Sequence, residues 1–221
     1  MIKAIIFDFD GVIVKSNFPG AYVLEKLLAD NGIKKSVKDL FPHFGEPPKQ
    51  ILQEMLHKRH VEKIMKEYTR IMTSDNYVRK VKPVKGARQA IVNLKKRYKV
   101  SVASGAIRPS LLKVMKHTGV KKYFPVTLSA NDVRHGKPHP EILLKAMKKL
   151  KVKRREAVYV CDAPSDVIAA RRAGVKSIVV LTGVLDRKTA EKMKADYVIP
   201  DITKLGPLLK DLNRRLQFAS S

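Results

Sequence analysis

Near its N-terminus the chain carries the stretch Ile2-Lys3-Ala4-Ile5-Ile6-Phe7-Asp8-Phe9-Asp10-Gly11, in which a mostly apolar run ends at two aspartates. The run 2–7 is short and rich in isoleucine, which predicts a buried strand. Residues two apart on a strand point to the same side, so Asp8 and Asp10 can face one crevice. Gly11 then lets the backbone turn sharply and approach a ligand closely. Open parallel sheets bind ligands beyond this end of their strands, so the stretch predicts a site as well as a strand.

Beyond residue 83 the pattern alternates between helix and strand. Apolar strands are predicted at 98–103, 125–129, 157–161, 177–181 and 197–199. Helices are predicted near 86–97, from about 109, from Pro138 and Pro140 to 150, at 165–173, at 187–194 and at 203–217. Continuous apolar strands separated by helices are typical of a parallel sheet with helices on both faces. The predicted fold class is therefore α/β, a doubly wound parallel sheet.

Residues 20–72 differ from the rest because their apolar residues follow a helical period and show no strand pattern. Gly32 and the proline-containing segment 41–48 separate the helical runs from one another. We therefore predict a core domain made of residues 1–14 and 83–221, interrupted by a helical insertion at 15–82.

Composition narrows the class of protein. The chain has 221 residues, of which 44% are hydrophobic, and this excludes a disordered chain despite a formal net charge of +26. No apolar run approaches the roughly 18 residues that span a bilayer, and the acids behind the first apolar run argue against a signal peptide. The single cysteine, Cys161, excludes an internal disulfide and a multi-cysteine zinc site. We therefore expect a soluble, cytoplasmic protein.

The excess of 46 Lys and Arg over 20 Asp and Glu has two interpretations. Nucleic acid is one partner that such charge suggests, but aromatic residues for stacking on bases make up only 6%. Segment 145–155 is basic and without acids, yet Leu144, Met147, Leu150 and Val152 favour a helix with a solvated basic face. The same charge would steer small anions to the protein. Composition leaves both partners open.

Polar residues follow two further predicted strands at the same end of the sheet. Ser104 and Gly105 follow one of these strands, and Asp162 follows another, with Asp166 four residues later. Each has an ordinary alternative as a helix cap or a helix-start acid, and Lys137 could be a surface lysine. Acids and a hydroxyl at three strand ends, with a lysine in a loop between two of them, rarely arise by chance. The combination predicts one common site.

The order Asp8-Phe9-Asp10-Gly11-Val12-Ile13, then Ser104, Lys137 and Asp162 with Asp166, resembles the haloacid dehalogenase-like superfamily of hydrolases. The resemblance spans essentially the whole chain, because the insertion lies where that family has its small helical cap domain. Segments 136–141 and 166–174 are similar to the branch of phosphoglycolate phosphatases. The resemblance implies a Rossmann-like core and a phosphatase that acts on a small phosphomonoester, with phosphoglycolate or a sugar phosphate as the first expectation.

The resemblance also implies a role for each residue of the predicted site. Asp8 would be the nucleophile that forms an aspartyl-phosphate. Asp10 would protonate the leaving alcohol and then activate water, and these are distinct tasks for two carboxylates. Ser104 would hydrogen-bond a phosphoryl oxygen, and Lys137 would offset the negative charge beside Asp8.

A magnesium ion is implied as cofactor, held by Asp8, the Asp10 carbonyl, Asp162 and, directly or through water, Asp166. The chemistry asks for such an ion, because a carboxylate attacks a phosphate dianion only when cations screen the charge. Four further residues are expected to contact the substrate, namely Gly11, Gly105, Phe44 and Glu46. The last two lie in a segment that resembles the family's specificity loop, although a plain linker is an equal alternative.

The chain departs from the family at Cys161-Asp162-Ala163, where Gly-Asp-Ser is usual, so a hydroxyl near the metal is missing. Cys161 itself is expected to be a buried strand residue and not a thiolate nucleophile. The pairs His57–His60 and His135–His139 have metal-like spacing, but no third ligand is evident for either.

Two other functions remain open from the sequence. A phosphomutase would use the same aspartyl-phosphate, and a basic nucleic-acid-binding protein could use a phosphatase scaffold. Either a monomer or a homodimer is expected.

Overall fold

A computed structural model describes residues 1–218 of the chain, without the side chains of residues 17–19 and 218. The strands are β1 (Ala4–Phe7), β2 (Val14–Lys15), β3 (Lys82–Pro83), β4 (Lys99–Ala103), β5 (Val126–Leu128), β6 (Ala157–Cys161), β7 (Lys176–Val180) and β8 (Tyr197–Ile199). The helices before β3 are α1 (Asn17–Ala29), α2 (Val37–Leu40), α3 (Pro48–Met55), α4 (Lys58–Met72) and α5 (Asp75–Lys80). Those after it are α6 (Ala87–Leu94), α7 (Arg108–His117), α8 (Glu141–Leu150), α9 (Pro164–Ala173), α10 (Arg187–Lys192) and α11 (Leu205–Phe218).

A six-stranded sheet in the order β5-β4-β1-β6-β7-β8 forms the centre of the molecule, and its strands are parallel. In this register Ala4 of β1 pairs with Lys99 of β4 on one side and with Ala157 of β6 on the other. The chain adds β4 and β5 beside β1 and then crosses to the opposite side. The carboxyl ends of β1, β4 and β6 therefore lie next to one another where the strand order reverses, which is where such sheets bind ligands. The predicted α/β fold class is confirmed.

Strand β1 is apolar at every position because both faces of the sheet are covered. All four of its residues are fully buried. Ile5 and Phe7 pack into the apolar layer on one face, and Ala4 and Ile6 pack into the layer on the other. Burial on both sides explains why no alternation of polar and apolar residues marks this strand in the sequence.

Helices α1 to α5 lie between β2 and β3, and no strand occurs among the described residues of this insertion. Strands β2 and β3 form an antiparallel ribbon in which Val14 pairs with Pro83 and Lys15 pairs with Lys82. Helix α4 buries one face, with Val61, Ile64, Tyr68 and Met72 at helical spacing. Both domain boundaries predicted from the sequence fall in this ribbon, and the division into two domains stays a prediction.

Two details of the sequence interpretation are wrong. Helix α8 begins at Glu141 and not at Pro138, because residues 136–139 form a turn in which the His139 amide donates to the Gly136 carbonyl at 2.9 Å. The Glu141 carboxylate holds the preceding loop by accepting from the amide of His135 at 3.0 Å. Leu144 is exposed instead of belonging to the buried face of this helix, which consists of Ile142, Leu143, Ala146, Met147 and Leu150.

The basic segment 145–155 otherwise has the expected form. Lys148 and Lys149 are on the exposed side of α8, whose apolar side packs on the sheet. Among the helices of residues 1–218, none is both long enough and apolar enough to span a lipid bilayer.

Candidate active site

Three neighbouring strands deliver polar side chains to one edge of the sheet. Asp8 follows β1, Ser104 follows β4 and Asp162 follows β6, and each is at most 3% exposed. Lys137, from the loop before α8, and Asp166, in the first turn of α9, reach the same place and are also buried. The structure thus brings together the residues that the sequence predicted for a common site.

Lys137 is at the centre of this buried group. Its Nζ donates to Asp8 Oδ1 at 2.8 Å and to Asp166 Oδ1 at 2.5 Å, and its side chain is 1% exposed. A buried lysine needs such partners, because an unpaired ammonium in a protein interior is strongly unfavourable. Burial lowers the pKa of Lys137, but the charges of Asp166 and Asp8 outweigh burial and raise the pKa above its usual value. Lys137 is therefore a fixed positive charge beside Asp8.

Tyr159 is a member of the group that sequence reasoning missed. Its hydroxyl donates to Asp166 Oδ1 at 2.8 Å and lies 3.3 Å from Lys137 Nζ, with the ring fully buried. A sequence signal was present, because a tyrosine in an otherwise aliphatic strand needs a partner for its buried hydroxyl. Tyr159 therefore orients both the lysine and one of the acids.

Burial also changes the acids of the site. It raises the pKa of Asp8 to about 7, although the positive charge of Lys137 acts in the opposite direction. Burial, with the charges of Asp8 and Asp166, raises the pKa of Asp162 well above its usual value. Several carboxylates in a dry site with one lysine carry too much negative charge, and this excess favours binding of a further cation.

The geometry of the acids fits a divalent cation. Asp8, Asp162 and Asp166 each place a carboxylate oxygen within 4.8 Å of the others. Asp166 Oδ2 is buried and has no hydrogen-bond partner among the described residues, which is unusual for a buried polar atom. Carboxylate oxygens are the ligands that Mg²⁺ prefers. The donor set thus suits the magnesium ion that the sequence resemblance implied.

Asp10 is placed differently from these three acids. Its carboxylate accepts a hydrogen bond from the hydroxyl of Ser16, at the start of the insertion. Burial raises its pKa, while hydrogen bonds from Ser16 and Ser104 act in the opposite direction. The predicted metal ligand of Asp10 is its backbone carbonyl, and that contact stays a prediction. Asp10 also lines the cavity in which a substrate would bind.

A loop of the insertion lies directly on this edge of the core. The Phe44 carbonyl accepts from Ser165 Oγ at 2.7 Å. Gly45 has a φ of +90° and no room for a side chain, because a Cβ would lie 2.4 Å from Ser165 Oγ. A Cβ on Gly105 would lie 2.3 Å from the Gly45 carbonyl oxygen. The loop and the core therefore meet backbone to backbone above the site.

Between this loop and the acids lies a cavity of about 120 Å³. Its lining includes the predicted residues Asp8, Asp10, Phe44, Glu46, Gly105, Lys137 and Asp162. Gly11 does not line it, and its φ of +74° instead forms the turn after Asp10. Ser104 is fully buried and is not among the lining residues, and its Oγ accepts from the amide of Ala106 at 3.0 Å.

Other candidate groups in the sequence do not form sites in the structure. Cys161 is buried in β6, and burial raises the pKa of its thiol well above the usual value, in accord with a structural cysteine. Ala163 lines the cavity without a hydroxyl. The rings of His135 and His139 lie 4.9 Å apart, but neither histidine pair belongs to a metal-like group among the described residues. A group that the sequence did not predict, His43 with Glu46 and Glu54, lies at the cavity.

Known proteins share this arrangement of sequence and fold. A family model described as haloacid dehalogenase-like hydrolase matches residues 5–180. A Caldanaerobacter subterraneus protein, provisionally named pyrophosphatase PpaX, is 33% identical over 214 residues, or 95% of each chain. The crystal structure of a hydrolase from Pseudomonas syringae has a TM-score of 0.85 at 21% identity, covering 95% of this chain and 98% of that one. A Lactobacillus plantarum structure, provisionally described as a phosphoglycolate phosphatase, has a TM-score of 0.81 at 22% identity, covering 94% and 99%.

The two structural likenesses concern the fold, and the sequence match identifies the family. The matched residues run from β1 to the end of β7 and include every acid of the buried group and Lys137. The chain therefore belongs to the haloacid dehalogenase-like hydrolases.

Proposed function

We propose that this phosphatase hydrolyses a small phosphomonoester through a phosphorylated Asp8, with Mg²⁺ as its cofactor. One observation carries the proposal. Asp8, which lines the cavity, has one carboxylate oxygen 2.8 Å from the buried ammonium of Lys137. This contact holds the carboxylate in place and balances part of the charge that a phosphate ester would bring.

The chain's own residues divide the reaction between them. An oxygen of Asp8 attacks phosphorus, and the bond from phosphorus to the ester oxygen breaks. Asp10 gives its proton to the departing alkoxide and then takes a proton from the water that attacks the aspartyl-phosphate. Inorganic phosphate leaves, and Asp8 is regenerated. Ser104 supports a phosphoryl oxygen, and Lys137 stabilises negative charge at Asp8 throughout.

Asp8, Asp162, Asp166 and the Asp10 carbonyl would hold the magnesium ion, and the unpartnered Asp166 Oδ2 supports this assignment. When bound, Mg²⁺ neutralises charge on the phosphoryl oxygens and orients the ester for in-line attack.

The family resemblance of the sequence and the name of one relative suggest three candidate substrates for this reaction. The resemblance suggested phosphoglycolate or a sugar phosphate, and the PpaX name of one relative adds pyrophosphate. They share the phosphoryl group and differ in the group that leaves. The lid-like loop at residues 44–46 would exclude water from whichever ester is bound.

The test combines phosphate release with intact mass spectrometry of the protein and with the melting temperature in the presence of Mg²⁺. Wild-type protein should release phosphate from p-nitrophenyl phosphate only with Mg²⁺, and Asp8→Asn should abolish turnover and trap no phosphoprotein by intact mass spectrometry. Asp30→Asn, at an exposed aspartate of the insertion, is the matched control and should remain active. Mg²⁺ should also raise the melting temperature, and Asp166→Asn should remove that shift. Full activity in Asp8→Asn, or phosphate on Ser104, would refute the mechanism.

A further inference from the structure

Much of the cavity lining is apolar. Its wall combines side chains of the insertion with side chains of α7, namely Leu24, Ile51, Met72, Leu111 and Val114. An apolar wall stabilises carbon and disfavours charge, because a charged group loses its hydration there without gaining a partner.

Two tyrosines interrupt this wall. Tyr68 of α4 and Tyr77 of α5 line the cavity and are 9% and 8% exposed. Among the described residues neither phenol has a hydrogen-bond partner, and burial together with the negative charge of Asp10 raises the pKa of both. Both hydroxyls therefore stay protonated and are available as donors or acceptors close to the general acid.

Positive charge is almost absent from the lining. Although the chain has 46 Lys and Arg, Lys137 is the only one of them that lines the cavity in the described part of the chain. Its ammonium is already engaged by Asp8 and Asp166. His43 faces two carboxylates, with its Nδ1 3.6 Å from Glu46 and 3.5 Å from Glu54. No group of the lining is thus left to neutralise a second anion.

Glu46 makes the lining still less favourable for an anionic leaving group. Its side chain is 8% exposed, lines the cavity and accepts from Gln50 Nε2 at 3.1 Å. An ionised Glu46 would repel an anionic leaving group, and a protonated one would give it no attraction. Gln50 Nε2, at 3.1 Å, and His43 Nδ1, at 3.6 Å, already lie against its two oxygens, so an ammonium group would have to compete with them for Glu46.

On the basis of the proposed function, we infer that the leaving group is a small uncharged alcohol that carries a second hydroxyl. Tyr68 and Tyr77 bind that hydroxyl, and the aliphatic wall packs against its carbon atoms. The cavity therefore selects polyol or sugar phosphates. It rejects phosphoglycolate, whose leaving group is an alcohol that carries a carboxylate, and pyrophosphate, whose leaving group is a second phosphate.

A series of two-carbon esters isolates the charge of the leaving group. Hydroxyethyl phosphate, phosphoglycolate and phosphoethanolamine have one skeleton that ends in a hydroxyl, a carboxylate or an ammonium group. With Mg²⁺ and wild-type protein, kcat/KM for hydroxyethyl phosphate should exceed that for each of the other two, and for pyrophosphate, by about tenfold or more. A preference for phosphoglycolate, pyrophosphate or phosphoethanolamine would overturn the inference.

Single-atom variants test the hydroxyl contact. Tyr68→Phe and Tyr77→Phe should each lower the ratio of kcat/KM for hydroxyethyl phosphate to that for ethyl phosphate by about three- to tenfold. Tyr22→Phe, at a tyrosine that is 59% exposed, is the matched control and should leave the ratio unchanged. A ratio unchanged in both cavity variants, with melting temperatures equal to wild type, would show that the tyrosines do not read the leaving group.

Different results would contradict the proposed function and the preference for an uncharged leaving group. If wild-type protein hydrolyses p-nitrophenyl phosphate with Mg²⁺ but prefers an anionic leaving group, the inference fails and the proposed function stands. If it hydrolyses no phosphate ester at all, both fail.

Discussion

Replacing Gly105 by alanine is expected to leave the fold intact and to prevent the loop at residues 44–46 from seating on the core. The backbone of Gly105 does not have the left-handed conformation, so alanine introduces no backbone strain there. The added methyl group meets the insertion, since its nearest neighbours are the Gly45 carbonyl oxygen and the backbone of Glu46. The perturbation therefore acts on one contact between the insertion and the core.

The size of the effect follows from the distances. A Cβ on Gly105 would lie 2.3 Å from the Gly45 oxygen, whereas real Cβ contacts essentially never fall below 3.0 Å. Both partners are backbone, so neither can rotate away, and the loop has to move. Phe44 and Glu46, which line the cavity, move with it. A misplacement approaching 1 Å can lower the rate by about 100-fold, so we expect a loss of about that size in kcat/KM.

The assay compares Gly105→Ala with Gly206→Ala, whose added methyl group has no neighbour within 4 Å. Steady-state kinetics on a small phosphate ester, with melting curves of both variants, separate a catalytic loss from unfolding. We expect Gly206→Ala to match wild type and Gly105→Ala to keep its melting temperature while losing activity. Wild-type kcat/KM in a folded Gly105→Ala variant would refute the idea that this loop seats on the core during turnover.

Three further outcomes are expected. Asp10→Asn should slow the reaction by about 10²- to 10⁴-fold, since it removes the proton carrier. The loss should be smaller for p-nitrophenyl phosphate than for an alkyl ester, and intact mass should show phosphorylated Asp8 accumulating with the former. Tyr159→Phe should lower the free energy of unfolding in urea by about 1.5–3 kcal/mol, because its hydroxyl bonds to a charged, buried acid. An unchanged unfolding midpoint would contradict that role. Raising salt to physiological strength should lower kcat/KM modestly and leave kcat nearly unchanged if the charge of +26 steers small anions. Duplex DNA or RNA that stays tightly bound at that salt, in a fluorescence titration, would instead favour the nucleic-acid alternative.

Local sequence patterns were sufficient to predict the core and its acids. Strand β1 is apolar at every position because the sheet is covered on both faces, and Asp8 follows it directly. Parallel strands bring their carboxyl ends to one edge, so Ser104 and Asp162 could be assigned to the same site without coordinates. The spacing of apolar residues and the alternation of helices with strands can both be read from consecutive residues of one sequence. The core and its acids could therefore be predicted without coordinates.

Contacts between distant segments could not be predicted in this way. The sequence marks Tyr159 only as a buried tyrosine whose hydroxyl needs a partner, and only the fold shows that this partner is Asp166. Tyr68 has the same spacing as the apolar residues of α4, so the sequence assigns it to the core of the insertion, although it lines the cavity. The meeting of Gly45 with Gly105 depends on how the insertion lies over the sheet, and no local pattern encodes that placement.

The buried charges connect stability with function. Asp8, Asp162 and Asp166 are at most 3% exposed, and Lys137 supplies their only buried positive charge in the described chain. This imbalance opposes folding, because each carboxylate loses hydration that one ammonium group cannot fully replace. The same imbalance would favour binding of a divalent cation, and in the proposed reaction that cation would screen the charge of a phosphate dianion that approaches Asp8. The rest of the lining is mostly apolar, with two phenols and no further lysine or arginine. Charge is therefore matched only at the phosphoryl end of the cavity, so a second anion on the substrate would lie where nothing neutralises it.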